Sequence, residues 1–190
     1  MILWGEDEHR GEHIQGLPLY RSTPLYLFDK LEFVEVQLMN IKNPMLVVTD
    51  IDKSVEFYKK VFGFHVIMDF GANKTLTGGL ALQTLDTWQE FIGTDNVSFG
   101  SNSSEVYFEE DNFDKFADHL KKCEVEYVHP IKEHSWGQRV VRIYDPDKHI
   151  LEIGENMKVV CKRFLDSGMT PEQVAERMDV PMKFVNACMR

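Results

Sequence analysis

The same order of elements, strand, helix and three strands, is spelled twice in this chain, and that repetition limits its fold more than any other feature. The first cycle opens with the β-rich run Asn43 to Thr49. A helix follows, which Asp50 or Asp52 can cap, with Val55, Tyr58, Val61 and Phe62 on one face and Gly63 as its stop. Three short strands come next, at Phe64 to Phe70, Lys74 to Thr77 and Leu80 to Leu85, broken by Gly71 and Gly78-Gly79. The second cycle starts at Glu105 to Glu109 and passes through a helix with Phe113, Phe116, Ala117 and Leu120 on one face. It closes with strands near Tyr127, at Gln138 to Tyr144 and at His149 to Gly154, the last two joined by the turn Asp145-Pro146-Asp147-Lys148. Superposing the helices pairs Asp52 with Asp114, Lys53 with Lys115, Lys59 with Lys121 and Lys60 with Lys122. A duplicated βαβββ module in an α+β fold is the expectation.

Charge divides the chain in three. Residues 1–38 carry 3 basic and 7 acidic side chains, residues 39–157 carry 12 and 20, and residues 158–190 carry 6 and 4. An acidic body repels phosphate backbones, so nucleic acid is not an expected partner of the repeated region. Cys123, Cys161 and Cys188 stand far apart and odd in number, which suits reduced thiols and a cytoplasmic protein. No apolar run approaches the roughly 20 residues of a membrane helix, and the first residues lack the basic start and apolar stretch of a signal peptide.

Residues 1–38 show no sustained periodicity apart from a short apolar patch at Leu25 to Phe28. They read as an N-terminal extension, either a flexible arm or a non-native stretch ahead of a natural start at Met39. The second alternative is supported by Val34-Glu35-Val36, which a GGAGGT-like ribosome-binding run can encode. Residues 158–190 read as a three-helix tail. Val159, Val160, Phe164 and Leu165 belong to a first helix ending at Gly168, Thr170 and Pro171 open a second, and Pro181 begins a third. The spacing is similar to a helix-turn-helix. Lys183, Asn186 and Arg190 are the whole supply of DNA-reading side chains on its last helix, so a packing role is expected.

The motifs Asn43-Pro44-Met45-Leu46-Val47-Val48-Thr49-Asp50, Phe57-Tyr58-Lys59-Lys60-Val61-Phe62-Gly63, Trp136-Gly137, Asp145-Pro146-Asp147 and Leu151-Glu152-Ile153 carry a resemblance. Over residues 40–156 the chain resembles the vicinal oxygen chelate superfamily of glyoxalase I, extradiol dioxygenases and bleomycin- and fosfomycin-resistance proteins. The resemblance implies paired βαβββ modules forming an open cup-shaped sheet, commonly completed by a second subunit, hence a homodimer. It also implies a small-molecule ligand: either an enzyme, a lyase, isomerase or oxygenase acting on a small carbonyl or oxygen-rich compound, or a non-catalytic binding or resistance-type protein. A ligand-responsive regulator working through the tail is a third class.

In metal-dependent members a divalent ion sits among four side chains, and their places fall on Asn43, Gln83, Glu105 and Glu152. Strand alternation puts Asn43 with Met45, Gln83 with Ala81, Glu105 with Tyr107 and Glu152 with Ile150 on shared faces. None of the four is histidine, and an amide and carboxylate set favours a hard ion such as Mg or Mn, with Gln83, Glu105 and Glu152 as the candidate ligands. Without a metal, two facing carboxylates repel, which would suit Glu152 as a base and Glu105 as its proton-returning partner. Glu105 alternatively pairs with Arg139 or Arg142. Trp136 offers a stacking surface and Arg139 a fork for an anion, with Tyr107 beside them, or else Trp136 is packed and Arg139 solvated. Trp88 sits on a short lid helix or serves as an apolar plug. His129 and His134 flank an expected turn from Pro130 to Glu133 and form a weak transition-metal candidate.

Overall fold

In the computed structural model, residues 41–190 are described, and the expectations for residues 1–38 lie outside them. Strand β1 (Met45–Val48) leads to α1 (Ile51–Phe62), β2 (Val66–Asp69), β3 (Asn73–Leu76) and β4 (Ala81–Thr84). After α2 (Leu85–Ile92) the order repeats as β5 (Glu105–Glu110), α3 (Phe113–Leu120), β6 (Glu126–Glu133), β7 (Arg139–Tyr144) and β8 (Ile150–Glu155). The sheets are four-stranded and open, ordered β1-β4-β3-β2 and β5-β8-β7-β6. In each, the first strand pairs in parallel with the last and the other pairs are antiparallel. No helix among the described residues is long and apolar enough to cross a membrane.

Local chemistry sets these boundaries. The Asp50 carboxylate accepts from the Lys53 backbone N–H at 2.9 Å, and Gly63 ends α1 with φ of 71°. Asn112 caps α3 in the same way. One boundary departs from expectation. Pro130 to Glu133 is not a turn but the second half of β6, an edge strand whose register slips between Tyr127 and His129 and again between His129 and Lys132. An edge strand tolerates a proline with no N–H to give, and bulged register hides the alternation that reveals a strand.

One face of each sheet is apolar and carries the helices. Leu46, Val48, Leu76 and Leu82 from the first sheet meet Val141, Ile143, Leu151 and Ile153 from the second in a single core with Tyr58, Val61, Phe113 and Leu120. Aromatic contacts cross between the repeats, with Phe62 centred 4.8 Å from Phe108 and 6.1 Å from Phe116. Polar contacts cross too. Tyr58 donates its hydroxyl to Asp145 Oδ2 at 3.0 Å, and the Thr49 backbone N–H donates to Asp147 Oδ1 at 3.2 Å. The opposite face of the second sheet carries the candidate site.

The tail is α4 (Met157–Asp166), α5 (Pro171–Met178) and α6 (Met182–Cys188), around a small core of Val160, Cys161, Val174, Met178, Val185 and Cys188. A capping box between Thr170 and Gln173 starts α5. All three cysteines are free and buried. Burial, then contact with Cys188, pushes the Cys161 thiol up to about 12. Arg163 on α4 donates to Gly137 O at 2.6 Å and to Glu155 Oε2 at 3.1 Å, which ties the tail to β8 and to the β6–β7 turn.

Burial first, then the Asp145 charge, raises the Tyr58 phenol well above its ordinary range, so it stays a donor. Tyr58→Phe removes that donor from a fully buried carboxylate. A loss of about 1.5–3 kcal/mol in unfolding free energy is expected, read from the urea midpoint at unchanged slope.

Candidate active site

The open face of the second sheet gathers a charged cluster. Arg142, on β7, pairs in register with Glu152 on β8, while β5 brings in Glu105 from the far side of β8. The guanidinium Nε donates to Glu105 Oε2 at 2.7 Å, and Nη2 contacts the Glu152 carboxylate. Its Nη1 meets His129 Nε2 at 3.1 Å. Because arginine only donates, His129 Nε2 accepts, and His129 Nδ1 donates to Pro130 O at 2.7 Å. Both ring nitrogens of His129 are thus engaged. Glu152 is 7% exposed and so cannot be left without a partner, a role the guanidinium fills.

Beside this cluster lies a neutral polar relay. Trp136 Nε1 donates to Gln138 Oε1 at 3.1 Å, and Gln138 Nε2 donates both to Tyr107 Oη at 2.9 Å and to Glu155 O at 2.9 Å. Tyr107 donates in turn to Glu109 at 3.2 Å and is 45% exposed, so its ring is available to a ligand. Burial leads the rise of its pKa, with the Gln138 bond opposing. Gly154 makes the arrangement fit, since a Cβ there would lie 2.9 Å from Tyr107 Cε2 and 2.7 Å from Gln138 Nε2.

Four expectations from the sequence change. Glu105 and Glu152 do come together, but with Arg142 between them, so the bare repulsion needed for a two-carboxylate proton shuttle is absent. Arg139 is not on this face. It is bound to Glu155 on β8 and Asp114 on α3, with Nη2 to Glu155 Oε1 at 3.0 Å and Nη1 to Asp114 Oδ1 at 2.7 Å, and so offers no free fork. Asn43 is used in tying the start of β1 to Gly79 O at 2.6 Å. Gln83, 3% exposed, accepts from Asn73 Nδ2 at 2.9 Å and donates to Thr87, in a set that shares no hydrogen bond or ion pair with the Arg142 cluster.

A divalent ion held by Asn43, Gln83, Glu105 and Glu152 does not fit these residues. The two carboxylates already enclose a guanidinium, and the two amides are engaged elsewhere. Among the described residues no group of three His, Cys, Asp or Glu side chains is arranged to hold a metal. His129 meets Arg142 and the Pro130 carbonyl, and His134 stacks on Trp136. Two clefts of about 710 and 610 Å³ lie on the helix-bearing side along α1, away from Glu152.

Sequence reasoning passed over Gln138, gave His129 only as a metal candidate with His134, and named Arg142 only as an alternative partner of Glu105, the pairing that is found. A usable signal existed for Arg142. Counting outward from the Asp145 turn places it opposite Glu152, and Arg139 three positions earlier on the other face.

His134 stacks on Trp136 with centroids 4.1 Å apart. Burial, then the charge of Arg142, lowers its pKa. The unfolded chain therefore binds the proton more readily, and stability is lost as pH falls from the ordinary imidazole range through the lower native value. Urea midpoints taken between about pH 8 and pH 5 should fall less for His134→Gln than for the native chain.

A glyoxalase-like domain family model matches residues 41–158. The uncharacterized protein YraH of Bacillus subtilis (strain 168) is 30% identical over 132 residues, spanning 60% of this chain and 97% of that protein. A structure of a protein of unknown function from Agrobacterium tumefaciens str. C58 is 33% identical with a TM-score of 0.58, covering 63% of this chain and 96% of that one. The fold also matches a glyoxalase/bleomycin resistance protein/dioxygenase from Nocardioides at 22% identity and a TM-score of 0.55, over 64% of this chain and 86% of the other. With two βαβββ modules and a family match over more than half its length, the chain belongs to the glyoxalase-like domain family, within the vicinal oxygen chelate superfamily.

Proposed function

We propose that this glyoxalase-like small-molecule protein binds, without turning over, a small oxygen-rich compound on the open face of its second module. The observation that carries this is the Glu105–Arg142–Glu152 cluster beside the exposed ring of Tyr107. With the guanidinium engaged by two carboxylates, what remains on offer is carboxylate oxygen, a phenol and an aromatic face. Such a surface suits hydroxyl or amine donors on a flat or ring-shaped body. The catalytic alternative assigns Glu152 as base in a lyase, isomerase or oxygenase step on a carbonyl compound, and it requires Arg142 to release that carboxylate. Trp136 and Gln138 orient Tyr107 in either case.

Met45, Ile67, Met68, Phe70 and Phe91 on the first module are 41%, 57%, 48%, 73% and 68% exposed. β2 is an edge strand, and the exposed apolar side chains Ile67 and Met68 on it support pairing with a second copy, so a homodimer is part of the proposal. Sedimentation velocity should give twice the chain mass, and Ile67→Lys with Phe70→Lys should return it to the single-chain value.

Thermal shift against a panel of vicinal diols, catechols and α-hydroxycarbonyl compounds tests the binding proposal. A saturable shift is expected with the compound recovered unchanged by mass spectrometry, and it should be lost in Tyr107→Ala. Conversion of a panel compound that stops in Glu152→Gln would replace binding with catalysis.

A further inference from the structure

The cleft of about 610 Å³ opens where the end of α1 meets β5 and the start of α3. Its floor is aromatic and belongs to both repeats. Phe62 is centred 5.5 Å from Phe64, 4.8 Å from Phe108 and 6.1 Å from Phe116, and all four rings are half-buried. Packed edges with part of their surface still uncovered make an apolar seat for a flat body. A volume of that size lies within the roughly 300–1,000 Å³ of small-molecule sites. The walls are tied together across the repeats, since His119 Nε2 on α3 meets Lys60 O near the end of α1 at 3.0 Å. Phe108 and Tyr107 are consecutive on β5, so the cleft and the Tyr107 face lie on opposite sides of the second sheet.

Charge at the rim selects what could sit there. Lys60 and Lys115 both border the cleft, and among the described residues neither has a carboxylate within ion-pair distance. In a chain of net charge −10, two such ammonium groups beside an apolar floor mark a place for negative charge. Of the glutamates at the edge, Glu110 accepts from the Asn112 backbone N–H at 2.7 Å and Glu109 from the Tyr107 hydroxyl at 3.2 Å. Their presence disfavours a doubly charged group and leaves room for one carboxylate. The larger cleft of about 710 Å³ lacks this contrast, because its Lys148 is paired with Glu126 and lies over Tyr144, and its Lys59 is paired with Glu56. We propose that the cleft between α1 and α3 is a second small-molecule site, which takes a flat aromatic monocarboxylate with its ring on the four phenylalanines and its carboxylate between Lys60 and Lys115. The site stands whether or not the Tyr107 face binds a ligand of its own.

The test is a calorimetric titration of 1-naphthoate, and separately of the neutral 1-naphthalenemethanol, into the full chain. One naphthoate per chain is expected, bound at least roughly tenfold more tightly than the alcohol. Lys60→Gln combined with Lys115→Gln should erase that preference and leave the affinity for the alcohol unchanged, because the aromatic floor is untouched. Tyr107→Ala should bind naphthoate as the native chain does, which separates this cleft from the open face of the second sheet. Absence of saturable naphthoate binding overturns the proposal, as does equal affinity for acid and alcohol. So does naphthoate binding that survives the double lysine variant or is lost in Tyr107→Ala. Both lysines are exposed, and circular dichroism confirms that the double variant is folded; Lys60→Ser with Lys115→Ser takes its place if it is not.

Discussion

A single buried carboxylate, Asp145, holds the turn from which the second sheet is measured. Its Oδ1 accepts from the backbone N–H groups of Asp147 and His149 at 3.0 and 2.8 Å, and its Oδ2 accepts from Tyr58 at 3.0 Å and His149 Nδ1 at 2.9 Å. Two of these bonds shape the turn and one reaches the helix of the other repeat. The turn in turn sets which residue of β7 faces which residue of β8. A slip of one position there would send every side chain of β7 to the wrong face.

That register decides the roles of two arginines that look alike in the sequence. Arg142 faces Glu152 and draws Glu105 to it in the candidate site. Arg139 faces the helices, where it and Arg163 grip Glu155, 1% exposed. Burial works against ionisation of Glu155 and is the largest single influence on it, yet the bonds and charges of the two arginines together leave its pKa lowered. Its contribution to stability is thus present above the ordinary carboxylate range and is lost as pH falls through the native value. Charge pairing inside this protein does two separate jobs, anchoring on one face and organising a site on the other.

The repeat, the helix caps and the alternating apolar positions of β7 and β8 were all legible, because each is a local signal with a fixed period or a fixed capping residue. Glu152 came from the family resemblance, and the fold buries it opposite Arg142. The length of β6 was not legible, since its two register slips erase the alternation and Pro130 imitates a turn. Nor was the fate of Arg139 and Asn43. Their partners Asp114, Glu155 and Gly79 are polar atoms that become neighbours only when strands are laid side by side. The family resemblance implies a cation among Glu105 and Glu152, and pairing across β7 and β8 puts the Arg142 guanidinium there.

Gly137 has φ of 88°, and a Cβ built on it would sit 2.3 Å from the Phe164 ring. Backbone and ring are thus in direct apposition across what composition marks as a boundary between body and tail. The seam in the sequence near Lys158 is therefore not a seam in packing. Ending the chain there would strip Glu155 of one guanidinium and bare the turn that carries Trp136 and Gln138. A shortened protein of only the family-matched residues would thus be a mutilated domain and not a minimal one, with its damage centred on the relay that reaches Tyr107.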